Sequence, residues 1–153
     1  MAKKKLAVIM DPIAAIAPEK DGTLGMLLEA QSRSYELTYF QQEDLRIING
    51  IAMGSGKNLK VEDNTTSWFS LSEENEIPLS DFDVILMRKD PPFNTEYIYT
   101  TYILDLAASL GVLVINSPQS LRNFNEKVSV SFFPDCAAPS LVSSSIEDLR
   151  NFL

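Results

Sequence analysis

Three short apolar runs in this chain end in the same way, and that repetition constrains the fold more than any other feature. Leu6-Ala7-Val8-Ile9-Met10 runs into Asp11-Pro12, Val84-Ile85-Leu86-Met87 into Arg88-Lys89-Asp90-Pro91-Pro92-Phe93, and Val112-Leu113-Val114-Ile115 into Asn116-Ser117-Pro118. Short, continuously apolar runs bounded by turn residues suit strands buried on both faces. Proline fixes φ and has no N–H, so none of these runs can continue as a strand or a helix interior past its proline. Taken singly, such a run is an element that ends at X-Pro and nothing more. Three in one chain point to parallel strands with a shared rim, which brings Asp11, Arg88, Asp90 and Asn116 to one edge. In open α/β sheets the carboxyl edge is where ligands bind.

The middle run is the most informative. Its double proline stiffens the exit from the strand, and Pro91 pushes Asp90 towards extended backbone. A rigid spur then presents Arg88, Lys89 and Asp90, and the planar fork of Arg88 suits a carboxylate or a phosphate. The competing reading is a surface arginine paired with Asp90. Lys89 is harder to assign, because successive side chains at a strand end point to opposite faces.

The 153 residues suit one domain with a sizeable core. Apolar and charged fractions of 45% and 22% are those of an ordinary globular protein. The net charge of −8 argues against a nucleic-acid surface, which needs a basic footprint. Lys3, Lys4 and Lys5 precede an apolar stretch, but Leu6–Met10 is too short for a secretory signal, and no stretch approaches transmembrane length. Cys136 is the single cysteine and the chain has no histidine. A disulfide framework is therefore excluded, a nucleophilic role has no base to support it, and the residue reads as a packing thiol of a cytoplasmic protein.

Along the chain, Thr23 opens an amphipathic helix over Thr23–Arg33, with Leu24, Leu27 and Leu28 at helical spacing. Glu36–Phe40 alternates as the next strand, completing a βαβ opening that is right-handed in a shared sheet. Asn49-Gly50 between apolar residues predicts a hairpin. Leu59–Val61 and Trp68–Leu71 read as further short strands, with Glu73, Glu74 and Glu76 in an exposed acidic loop. Gly54-Ser55-Gly56-Lys57 lacks the spacing and the following helix of a phosphate loop, and is read as a flexible turn. Asn64-Thr65-Thr66 fits a glycosylation acceptor, but nothing else suggests secretion. A helix is expected over Thr95–Leu110, with Thr95 as its cap, Gly111 at its end and Tyr97, Tyr99 and Tyr102 partly buried. Pro118–Arg122 makes a short helix. After Asn125 the pattern changes to short apolar pieces and a last helix over Ser145–Leu153, with Ser144 and Glu147 at capping-box spacing.

These segments, in this order, resemble bacterial glutathione synthetase: Val8–Ile13, Met26-Leu27-Leu28-Glu29-Ala30-Gln31, Ile85–Phe93, Asn116-Ser117-Pro118-Gln119-Ser120-Leu121-Arg122 and Asn125-Glu126-Lys127. The Met87–Phe93 run is the most specific of them. The resemblance covers essentially the whole chain but only the beginning of that family. It implies an open, mostly parallel α/β sheet flanked by helices, a Rossmann-like pre-ATP-grasp domain with a short β-hairpin insertion. Residues 1–124 would be the amino-terminal substrate domain and residues 125–153 the truncated start of the ATP-grasp region. The implied activity is an ATP-dependent ligase that uses Mg²⁺ and joins γ-glutamylcysteine to glycine, in a cytoplasmic homo-oligomer. The implied substrate residues are Asp11, Pro12, Arg88, Asp90, Pro91, Pro92 and Asn116, with Asp11 or Asp90 accepting the substrate ammonium. Lys127 matches a lysine near the nucleotide phosphates. The glycine-rich loop and the acidic and Asn metal ligands of the family have no counterpart in these residues, so the fragment alone is expected to be inactive.

Two rival readings stand beside this one. The chain could be a non-catalytic module that binds a γ-glutamyl peptide or assembles subunits through its sheet edge. An unrelated flavodoxin-like binder is disfavoured, because no phosphate-cradling loop follows Met10.

Overall fold

The computed structural model describes residues 3–64, 66–124 and 126–153, without the side chains of residues 126 and 127. Among these, seven strands form one sheet: β1 (Lys5–Ile9), β2 (Glu36–Phe40), β3 (Leu45–Ile48), β4 (Ile51–Val61), β5 (Phe69–Pro78), β6 (Val84–Met87) and β7 (Leu113–Ile115). The helices are α1 (Gly22–Ser32), α2 (Thr95–Ser109), α3 (Pro118–Asn123) and α4 (Ile146–Phe152), with short 3₁₀ turns between. The three apolar runs form adjacent parallel strands, in the order β2-β1-β6-β7 once β2 is included. This is the expected open α/β sheet flanked by helices.

Alternation along the strands divides the core into two layers. Ala7 and Ile9 of β1, Phe40 of β2 and Ile85 and Met87 of β6 pack with Leu104 and Ala107 of α2. Leu6, Val8, Leu37, Tyr39 and Leu86 face the other way, onto Leu24, Leu27 and Ala30 of α1. β1 is therefore covered on both sides, which is why its sequence is apolar without alternation. The chain leaves β1 through α1 towards β2 on one side, and leaves β6 through α2 towards β7 on the other. β1 and β6 thus flank a topological switch point, where the two diverging connections leave a crevice at the strand ends.

The hairpin region is larger and more regular than its sequence suggested. Asn49 (φ 51°) and Gly50 (φ 82°) make the expected tight turn between β3 and β4. β4 then runs for 11 residues and β5 for 10, both inside the main sheet rather than beside it. Glu73, Glu74 and Glu76 lie in β5 and not in a loop, and Glu74 and Glu76 pair across the strands with Lys57 and Arg46. Gly54-Ser55-Gly56-Lys57 is strand, not turn. A Cβ on Gly56 would stand 2.5 Å from Cζ of Phe40, and one on Gly54 would stand 2.6 Å from its Cε1. The glycines are there because a fully buried ring packs directly against the strand.

Three helix caps shift from their expected residues. Asp21, not Thr23, caps α1, its side chain accepting from the Thr23 N–H at 2.7 Å. Asn94, not Thr95, caps α2 by accepting from the Tyr97 N–H. Ser145, not Ser144, caps α4. In each case the cap is the extended residue just outside the helix, and a neighbouring Ser or Thr cannot be told from it by type alone. Gly111 (φ 97°) follows α2 as expected. Asn64 accepts from the N–H groups of Thr66 and Ser67, a local turn that explains this asparagine. Thr65, in the middle of the glycosylation triplet, lies outside the described residues.

No residue from Val128 to Leu153 is buried. Cys136 is exposed, so it is not a packing thiol. Without apolar burial a short helix such as α4 is marginal in water, and segments of low local stability exchange their amides well below the global stability. Hydrogen exchange is therefore expected to be fastest from Val128 onwards and slowest in the central strands Lys5–Ile9 and Val84–Met87. Equal protection of both regions in a monomeric sample would show Val128–Leu153 to be as firmly held as the core.

Candidate functional site

The alternation that buries β6 also orients the residues beyond it. Leu86 faces α1 while Ile85 and Met87 face α2, so the next side chain, Arg88, turns to the α1 side and Lys89 to the α2 side. The Arg88 N–H donates to the Ile9 carbonyl, carrying the ladder one residue past the strand. Its guanidinium Nε donates to Thr23 Oγ1 at 3.1 Å, and Nη2 stands 3.9 Å from Asp21 Oδ1. Arg88 pairs with the start of α1 rather than with Asp90. The fork is held at one side and 37% exposed.

Asp11 locks the spur from the neighbouring strand. Its Oδ1 pairs with Lys89 Nζ at 2.9 Å, and its Oδ2 accepts from the Asp90 N–H at 3.0 Å. Lys89 also donates to the Asp90 carbonyl at 2.7 Å. Both carboxylate oxygens of Asp11 are therefore engaged within the protein, and the Asp90 carboxylate is left on the exposed spur. The Asp11–Ile13 loop is itself pinned by Tyr39, whose hydroxyl accepts from the Ile13 N–H and donates to the Asp11 carbonyl. Burial pushes the Tyr39 hydroxyl above its ordinary pKa, partly offset by the Ile13 N–H. The negative charges of Asp44, Glu43 and Asp11 push it the same way as burial. Tyr39 is thus protonated at neutral pH and can make both bonds. Pro12 leads into the 3₁₀ turn Ile13–Ala15.

On the α2 side the rim opens into two hollows. One, of about 500 Å³, has Lys89, Pro92, Asn94 and Glu96 in its lining. The other, of about 400 Å³, is lined by Phe93, Tyr97, Asn116, Ser117, Ser120, Leu121 and Phe124. Tyr97 is buried and its hydroxyl pKa is raised by burial and by Asp90, whereas Tyr99 and Tyr102 are exposed. Arg122 fixes α3 onto α2: it donates to Thr101, pairs with Asp105 at 2.7 Å and covers the Tyr102 ring.

Of the residues expected from sequence, Asp11, Asp90, Pro91 and Pro92 gather at the crevice between β1 and β6. Arg88 lies there too but looks to the α1 side, while Asn116 lines a hollow on the α2 side. The Lys127 side chain lies outside the described residues. Asp21, Thr23 and Tyr39 contribute to the site without having been foreseen. The signal for Tyr39 was its place in the alternation of β2. For Asp21 it was an Asp directly before a helical pattern, obscured by Thr23.

The family described as prokaryotic glutathione synthetase, N-terminal domain, matches residues 5–122. The chain belongs to that family. It is 50% identical over 148 residues to glutathione synthetase of Escherichia coli K12, and 47% identical over the same length to that of Shewanella oneidensis. Glutathione synthetase of Salmonella typhimurium is also 50% identical. Each match covers 97% of this chain and 47% of the relative. The chain spans about half the length of these members of the family.

Proposed function

We propose that this chain is the amino-terminal, substrate-side part of a glutathione synthetase, and that its strand-end crevice holds γ-glutamylcysteine. The observation that carries this reading is the position of the Met87–Phe93 run. The run most specific to the family lies at the topological switch point of the sheet, with a partly exposed arginine fork on it. In the whole ligase, ATP phosphorylates the cysteinyl carboxylate, and the amine of glycine displaces phosphate to form the new peptide bond. The residues of this chain bind and orient the γ-glutamyl end. Asp11 holds the spur, Pro91 and Pro92 shape it, and Arg88 grips a carboxylate. Orientation of this kind matters because a misplaced reactive group is costly. Asp90 and Asn116 complete the substrate side.

Among the described residues no group of His, Cys, Asp or Glu is gathered so as to hold a metal ion. On this reading the Mg²⁺ ligands lie in the remainder of the ligase. Among the same residues no helix is long and apolar enough to cross a membrane; the whole ligase of this reading is a cytoplasmic homo-oligomer. The family match ends at residue 122 and no described side chain beyond it is buried, which supports a division at residues 124–125. On this view residues 125–153 open the nucleotide-binding region, with Lys127 near the phosphates.

Two measurements test the reading. The purified 153-residue protein is expected to form no glutathione from γ-glutamylcysteine, glycine and ATP above a no-protein control. It is expected to bind γ-glutamylcysteine, but not glycine, in a calorimetric titration. Ligase activity from these residues alone would overturn the division of labour, and a reading frame that stops after Leu153 would favour the free-standing binding module.

A further inference from the structure

Resting on that reading, we propose that Arg88 and Asp21 together form a subsite for an α-amino-acid head group, Arg88 taking its carboxylate and Asp21 its ammonium. Four observations carry this. The Nε edge of the Arg88 guanidinium is occupied by Thr23 Oγ1 at 3.1 Å, and Thr23 is 1% exposed, so the fork cannot turn that edge to a ligand. What it offers is its Nη1–Nη2 end. Beside that end stands Asp21, with Oδ1 at 3.9 Å from Nη2, longer than a hydrogen bond and therefore not a closed pair. The α1 cap and this contact both use Oδ1, which leaves Oδ2 outside the cap. Of the other acids next to the crevice, Asp11 already has both oxygens engaged, and Asp90 carries its carboxylate on the exposed spur, where its charge acts on Tyr97 on the α2 side.

A cation and an anion held side by side with an open geometry suit a ligand whose own anion and cation sit on one carbon. γ-Glutamylcysteine carries such a group at its γ-glutamyl end, where the carboxylate and ammonium share the α-carbon. Neither charge of the pair then goes unanswered: the ligand carboxylate lies across the free end of Arg88, and the ligand ammonium offsets the repulsion that Asp21 alone would exert on that carboxylate.

The test uses the complete ligase and three acceptors of phosphate: γ-glutamylcysteine, N-glutarylcysteine (no α-ammonium) and 4-aminobutanoylcysteine (no α-carboxylate). Asp21→Asn is the informative variant, because Asn caps a helix as well as Asp while removing the charge. A thermal melt matching that of the unaltered protein checks this. The unaltered enzyme is expected to show a higher KM for both analogues. Asp21→Asn is expected to raise the KM for γ-glutamylcysteine about tenfold and to leave that for N-glutarylcysteine unchanged. Arg88→Ala is expected to weaken γ-glutamylcysteine and N-glutarylcysteine but not 4-aminobutanoylcysteine. If Asp21→Asn affects γ-glutamylcysteine and N-glutarylcysteine equally, or affects neither, the subsite is refuted while the role of Arg88 stands. The subsite is refuted in the same way if the unaltered enzyme does not distinguish γ-glutamylcysteine from N-glutarylcysteine. If Arg88→Ala changes none of the three, the substrate-side reading itself fails.

Discussion

Replacing Arg88 with alanine in the complete ligase is expected to weaken the use of γ-glutamylcysteine by about 2–5 kcal/mol, the range for removing one partner of a hydrogen-bonded charge pair that a ligand buries. ATP binding should be unaffected, because the fork sits on the α1 side of the sheet against Thr23 and Asp21. Arg88→Lys should recover little. An ammonium is a point charge and cannot both donate sideways to Thr23 and present two parallel N–H groups to a carboxylate. The measurement is kcat/KM for each substrate in turn. An alanine variant with unchanged kinetics would overturn the substrate-side reading and leave Arg88 only the task of tying β6 to α1.

The second large effect lies in the core. Phe40 is fully buried, meets Phe82 edge to face at a centroid distance of 5.8 Å, and lies against the bare backbone of Gly54 and Gly56. Phe40→Ala is expected to cost about 3–5 kcal/mol, the transfer energy of the ring plus the cavity left behind. Gly56→Ala errs in the opposite direction. Its new Cβ would fall 2.5 Å from Phe40 Cζ and 2.6 Å from Thr38 Cγ2, so it is expected to cost about 1–3 kcal/mol through overpacking. The two changes share one space and so should not be additive. In a Phe40→Leu background, Gly56→Ala should cost less than it does alone. Urea midpoints at unchanged slope measure all four corners of this cycle. Additive costs would mean that the glycines serve something other than the ring.

The same pair of glycines shows why local reading failed in this region. Gly-Ser-Gly-Lys has the composition of a turn, and three glutamates in four residues have that of a solvated loop. Both became strand because their neighbours across the sheet decide the outcome: the ring of Phe40 under one, Lys57 and Arg46 opposite the other. Strand propensity largely expresses such cross-strand and same-face packing, and none of it is present in a window of ten residues. The helix caps failed on a smaller scale. Asp21 and Thr23, or Asn94 and Thr95, are equally good residues for a cap, and only the backbone conformation selects one.

The rim, by contrast, was legible, because its information is local. An apolar run, a polar step and a proline specify a strand and the residue at which it stops, whatever surrounds it; burial on both faces is a matter of place in the sheet, and the edge strand β7 leaves Leu113 and Ile115 exposed. Sequence alone therefore determined the three parallel strands, the edge they share, the Asn49-Gly50 turn and the family to which the Met87–Phe93 run belongs. What the tertiary structure decided is which partner each rim residue meets. Alternation settles that Arg88 and Lys89 part company, but not what waits on either side. Only the packing of α1 places Thr23 and Asp21 beside the guanidinium, and only the parallel pairing of β1 with β6 brings the Asp11 carboxylate to Lys89 and the Asp90 N–H. Those partners come from 65 to 79 residues away in the chain, a separation at which side-chain contacts are set by the fold and not by neighbouring sequence.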